Sequence, residues 1–140
     1  MYDAVELAKY IITKCVDDSH PISNLQLQKI LYYIQKDFLH RDRIAFLDPI
    51  EAWQFGPVVP NVYYTFYGSG SMKIVSRYLH EGINYDDLLI INKIVEAKRD
   101  LYPWDMVNDT HKPGGAWYQT FQNGQGNHAL IPLELIKAEQ

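Results

Sequence analysis

The run from Ile22 to Arg41 constrains this chain more than any other stretch. Ser23 stands three residues before Gln26, the spacing at which a hydroxyl and a carboxamide cap each other's backbone N–H groups, and Ile22 is placed to staple onto Leu27. The spacing predicts a helix over 24–41. Leu27, Ile30, Leu31, Ile34 and Phe38 form its main apolar stripe, while Leu25, Tyr32 and Leu39 repeat every seven residues on nearly the opposite side. A helix apolar on two sides has to be covered on both. We therefore read both stripes as core rather than leaving the second free for a partner, and the rest of the chain must wrap this helix.

Helical spacing of Ala4, Leu7, Ala8, Ile11, Ile12 and Cys15 predicts a helix over 4–16 with Asp3 as its N-cap. Pro60 opens a short helix running through 61–67, with Gly68 suited to a left-handed C-terminal position. Asn84 caps a helix reaching about Tyr102, with Asp86 and Asp87 in its first turn. Trp104, Val107 and His111 share one face of a short helix after Pro103, and Leu133, Ile136 and Lys137 fit a last one. Residues 68–83 and 112–127 read as loops, the second pinned by Trp117 and Phe121, and at most a short strand fits near 50–54. The expected fold is mainly α: a single compact helical domain over 1–140, of about five to six helices with at most a short β element. A chain of 140 residues suits one such domain.

Several function classes are disfavoured. Thirteen Lys and Arg against seventeen Asp and Glu give a net charge of −4, so the basic footprint of a nucleic-acid binder is missing. The longest apolar run, Ile30–Ile34, is far short of the roughly 20 residues of a membrane span. A lone Cys15 cannot close an intrachain disulfide, and Met1-Tyr2-Asp3-Ala4 carries neither a basic nor an apolar leader segment, which together lead us to expect a cytoplasmic location. Gly68-Ser69-Gly70-Ser71 lacks the marks of a dinucleotide loop, a phosphate loop or a nucleophile elbow. No two of the five histidines stand at i, i+4 on one helix, so no metal and no cofactor is expected.

Asp109-Thr110-His111 is the best polar constellation, because a carboxylate beside an imidazole can set its tautomer for general-base chemistry. A small hydrolase using Asp109 and His111 is one functional alternative. His111, however, shares a face with Trp104 and Val107, and a buried histidine that holds the following Gly-rich loop by hydrogen bonds explains it without catalysis. Asp17/Asp18 and Asp86/Asp87 sit at helix boundaries, where capping accounts for them. Lys29, Lys36, Arg41 and Arg43 are the main cations expected to be exposed on the 24–41 helix and its end, too few for a DNA-recognition helix.

Aromatic residues are the compositional oddity: three Trp, five Phe and eleven Tyr, the last joining an apolar ring to a polar tip. On the helix at 61–67, Val62 and Phe66 point one way, Tyr63 and Tyr67 lie about 100° round and Tyr64 about 100° further. One packed face cannot bury them all, which makes Tyr63, Tyr64 and Tyr67 candidates for a partner surface.

Three blocks carry a resemblance to a known family: Ala8-Lys9-Tyr10-Ile11-Ile12, the run Ile22-Ser23-Asn24-Leu25-Gln26-Leu27-Gln28-Lys29-Ile30-Leu31-Tyr32-Tyr33, and the run Ile50-Glu51-Ala52-Trp53-Gln54-Phe55-Gly56-Pro57-Val58-Val59-Pro60-Asn61-Val62-Tyr63. With Thr110-His111 and the Trp117 region, they resemble the Panacea domain, also called the phage-associated or SocA-like domain. Two departures stand out: Ala116-Trp117 where the pattern has Pro-Trp, and Ala138-Glu139-Gln140 in place of an aromatic ending. The resemblance implies a mostly helical antitoxin of a type II-like two-gene system, often phage- or prophage-borne, that silences a cognate protein toxin by binding it directly. It also implies an alternative, an adaptor that hands the toxin to a protease. It implies no enzymatic activity. Asp and Glu would complement a toxin that approaches anionic RNA or nucleotide, and Tyr63, Tyr64 and Tyr67 would be its contacts. Of the motif residues, Gln28, Tyr32, Trp53, Gly56, Pro57, Val58, His111 and Trp117 read as structural, with Trp53 plugging the core and Gly56-Pro57 fixing a bend.

Overall fold

A computed structural model describes residues 1–140. Helix α1 (Ala4–Asp17) starts where the Asp3 carboxylate accepts from the Val5 and Glu6 N–H groups, and it buries Ala4, Leu7, Ala8, Ile11, Ile12 and Cys15 on one face. Helix α2 (Asn24–His40) opens with the capping box in place: the Ser23 hydroxyl accepts from the Gln26 N–H, and the Gln26 carboxamide accepts from the Ser23 N–H at 2.9 Å. Ile22 and Leu27 are both fully buried beside it. Burial runs almost round the helix, including Tyr32 and Leu39 of the second stripe, with Leu25 half-buried. Both stripes are packed, and α2 is the axis of one continuous core.

Polar side chains on the same helix tie down the chain around it. The Gln35 carboxamide accepts from the Ala45 N–H at 2.8 Å and donates to the Phe46 carbonyl at 2.7 Å, fixing the segment that pairs with Tyr2 at the N-terminus. A small antiparallel sheet follows, with β1 (Glu51–Trp53) between β2 (Gly56–Val58) and β3 (Ala129–Leu130). Glu51 pairs with Val58 on one side and with Leu130 on the other. The strand near 50–54 is therefore real, but it has two partners that their own sequences, three and two residues long, did not announce.

Helix α3 (Pro60–Thr65) buries Val62 and packs against α1 and α2. The chain then tightens into a 3₁₀ turn at Tyr67–Ser69, so the left-handed glycine is Gly70 (φ +57°) rather than Gly68. Helix α4 (Tyr85–Lys98) ends four residues before Tyr102, its N-cap Asn84 accepting from the Asp86 N–H. Asp87 does not serve as a cap. It is buried, accepts two hydrogen bonds from the Arg43 guanidinium at 2.7 and 2.8 Å and one from the Tyr2 hydroxyl, and the Arg43 bonds hold its carboxyl below the usual carboxylate range. Asp17 and Asp18 likewise pair with cations, Arg77 for the first and Lys14 and Arg99 for the second.

Helix α5 (Pro103–Thr110) and helix α7 (Leu133–Ala138) lie where the spacing placed them. Between them the expected loop at 112–127 holds a further helix, α6 (Ala116–Phe121), which brings the total to seven. Six residues starting right after Gly115 are too few to show a period. Tertiary stacking supplies what local pattern lacks: Trp117 is sandwiched between His111, 3.6 Å away ring to ring, and Phe121 at 4.6 Å. No helix is long and apolar enough to cross a membrane.

Candidate functional site

The two longest motif blocks dock onto each other through side chains of α2. The Gln28 carboxamide accepts from the Val59 N–H at 2.8 Å and donates to Asn24, whose own amide donates to the Tyr63 carbonyl at 3.0 Å. This relay fixes both ends of the β2–α3 junction. The next residue, Lys29, is 0% exposed and its ammonium donates to the Phe55 carbonyl at the tip of the β1–β2 turn. Gly56 follows with φ +122°, and a Cβ there would stand 2.2 Å from the Lys29 Nζ, so both backbone conformation and space call for glycine. Lys29 is thus no surface cation. It lies between Leu25 and Tyr32/Tyr33 on the second apolar face of α2, and no carboxylate pairs with it. Burial pushes its pKa down to about 7.

The turn held by Lys29 forms one wall of an open groove of about 650 Å³ between α2, the β1–β2 turn, α3 and the start of α5. Trp53 is half-buried and stacks on His128 at 4.4 Å, with Tyr63 edge-on at 5.0 Å. It is a wall of the groove and not a plug of the core. Its indole N–H is spent on Glu51. Phe55 meets Trp104 edge to face across the mouth, and both are exposed, at 49% and 63%. Trp104 therefore leaves the buried face that spacing assigned to it with Val107.

The three tyrosines continue this aromatic surface. Tyr63 is half-buried at the groove and touches both Tyr64 and Tyr67 edge to face, at 5.2 and 5.7 Å. Tyr64 and Tyr67 are 62% and 60% exposed, while Val62 and Phe66 are buried. Trp53 and His128 extend the tyrosine cluster, and Phe55 with Trp104 adds a second aromatic pair lining the same groove. Sequence reasoning missed Phe55, Trp104 and His128 as members of this surface.

Asp109 and His111 are not brought together as a pair. Asp109 accepts from the Tyr33 hydroxyl at 2.8 Å, and the His111 ring lies flat on Trp117 with its buried Nε2 unpartnered. Hydrogen bonds to the glycine loop are not what holds His111; ring stacking does. Burial first, and then the neighbouring Lys29 charge, lower its pKa, with the Phe55 carbonyl acting in the opposite sense. Trp117 donates its indole N–H to the Trp53 carbonyl at 2.7 Å, tying α6 to the back of the groove. Pro57 and Val58 are buried beneath it.

Ala116 and Glu139 meet in space: the buried Glu139 carboxylate accepts from the Ala116 backbone N–H at 2.9 Å. The same carboxylate accepts from the Tyr32 hydroxyl and from Lys36, both at 2.9 Å. Glu139 thus ties the start of α6 to α2, and burial with Glu139 nearby raises the Tyr32 pKa.

A mainly helical domain with these interlocked motifs matches the family described as "Antitoxin SocA-like, Panacea domain" over residues 27–118, and the chain belongs to that family. It is 31% identical over 150 residues to "Antitoxin SocA" of Caulobacter vibrioides (strain NA1000 / CB15N), an alignment covering 95% of this chain and 77% of the relative. No solved structure matches. The family match spans the Gln28–Lys29 clamp, the Trp53–Val58 turn, the tyrosines and the His111–Trp117 stack.

Proposed function

We propose that this chain is a non-enzymatic antitoxin that neutralises a cognate protein toxin by direct binding, as in a type II-like toxin–antitoxin system. The observation that carries the reading is the set of exposed aromatic rings about the groove, Phe55 and Trp104 in its lining and Tyr64 and Tyr67 beside its lining residue Tyr63. Apolar rings in water at this density are the composition of a protein contact, and aromatic residues concentrate binding energy there. Membership of the SocA-like family supplies the kind of partner, a toxin.

The mechanism is steric: the aromatic face covers the part of the toxin that has to reach its target. Because Lys29, Gln28 and Trp117 hold the walls from behind, the surface is formed before the toxin arrives, and little ordering cost is left to binding. Co-expression with the product of the adjoining reading frame tests the reading. Growth arrest by that product alone, relieved by this chain through a complex that copurifies, is the expected result. Relief of arrest with no complex at micromolar concentrations would overturn direct binding.

A further inference from the structure

We propose that the groove receives a neutral, extended segment of the partner protein, with an apolar or aromatic side chain entering between the rings and peptide groups meeting Gln54 and Asn127. This rests on the reading of the partner as a protein toxin and adds which part of it enters. The first argument is charge. Thirteen cations and seventeen anions are distributed over the chain, yet no Asp, Glu, Lys or Arg lines the groove. A charged anchor placed there would lose hydration and find no counter-ion. The acidic complementarity expected from composition therefore lies outside the groove.

The second argument is hydrogen-bonding capacity. Asn24 and Gln28, at the floor, spend their carboxamides on each other and on the chain. Gln54 and Asn127, at the rim, are exposed, and their side chains bond nothing in the protein. Each offers a donor and an acceptor, the complement of a peptide group. Between them Trp53 and Trp104 offer apolar area, and a groove of about 650 Å³ has the size of sites that hold a few side chains and not a domain. Stacked nucleobases would also suit the rings, but a nucleic acid brings phosphates, and no cation lines the groove to meet them.

The test places charge of each sign at the rim. The probe is the protein encoded by the adjoining reading frame, titrated against wild type, Gln54→Lys, Gln54→Glu, Asn127→Lys and Asn127→Asp, with thermal melts as the folding control. Both signs at both positions are expected to weaken binding by about tenfold or more while the melts stay unchanged. Tightening by one sign and weakening by the other would mean a charged anchor and overturn the inference. Unchanged affinity in all four, with Tyr64→Ala still weakening binding, would overturn it too and leave the antitoxin reading standing. Absence of binding by wild type would overturn both. Tighter binding of a single-stranded RNA oligonucleotide than of the protein would replace the peptide by a nucleic acid.

Discussion

Lys29 makes a prediction that turns on the sign of its linkage to folding. An ordinary lysine holds its proton up to about pH 10.4, whereas burial brings Lys29 down to about 7 in the folded chain. Between those values the unfolded chain binds more protons than the folded one, so stability rises with pH and falls on acidification until the folded pKa is passed. Each pH unit in the steep part of that window is worth about 1.4 kcal/mol. Near the folded pKa the curve flattens, which leaves an expected rise of roughly 1.5–2 kcal/mol between about pH 7 and pH 8.5. The window is chosen with the neighbours in mind. Cys15, Tyr32 and Tyr33 have raised pKa values, chiefly from burial, and take stability away as their unfolded counterparts ionise, the tyrosines at about pH 10 and Cys15 at about pH 8.5, where its small loss is common to wild type and variant and cancels in their difference. His111, lowered by burial, acts in the same direction as Lys29 but below about pH 6.5. The assay is urea denaturation followed by circular dichroism at several pH values for wild type and Lys29→Met. The methionine variant fills the same channel with an uncharged chain, leaves the Phe55 carbonyl without its donor, and has no proton to release. Its stability is expected to stay flat across the window apart from the shared Cys15 loss, so its standing against wild type worsens by the same roughly 1.5–2 kcal/mol as pH rises. Parallel profiles for the two proteins would refute the reasoning, because Lys29 would then keep its charge through a partner other than the Phe55 carbonyl.

Ser23→Ala removes the hydroxyl that caps the Gln26 N–H and is expected to cost about 1 kcal/mol in urea melts; no loss would mean that α2 starts elsewhere. Glu139→Ala strips three donors, the Tyr32 hydroxyl, the Ala116 N–H and Lys36, of their shared acceptor, for an expected loss of about 3 kcal/mol by the same measurement. His111→Ala removes the ring stacked on Trp117 and is expected to cost about 1 kcal/mol or more of stability without altering toxin affinity. An intact melt with lost toxin neutralisation would instead give His111 a direct role.

Local signals carried the long elements. The capping box, the staple and two stripes placed α2 to within a residue, and three- and four-residue spacing placed α1, because each shows several turns of one pattern. Strands of two and three residues and the six-residue α6 carry too little period to be read; they exist because Trp117, the β1–β2 turn and the chain end hold them in place. Lys29 stands one turn after Leu25, between the second apolar stripe and Tyr33, but a lysine is rarely buried without a partner, so its residue type points to solvent while only the folded chain supplies the Phe55 carbonyl. Tyr64 followed from helical angles alone. The groove did not, because its walls come from segments far apart in the chain, and only the folded structure brings His128 onto Trp53 and Phe55 against Trp104.

The central claim, that this aromatic face is where the toxin is held, is tested most directly by calorimetric titration of the purified toxin against wild type and the Tyr63, Tyr64, Tyr67 and Trp104 alanine variants, each checked by thermal melting. The account predicts that Tyr64→Ala and Trp104→Ala each lose more than about 1 kcal/mol of binding free energy with unchanged melts, since both rings are exposed and support little of the core. Tyr63→Ala is expected to lose both affinity and some stability, because its ring also packs against Trp53. Unchanged affinity in all four variants, with every fold intact, would contradict the claim and move the toxin to another face.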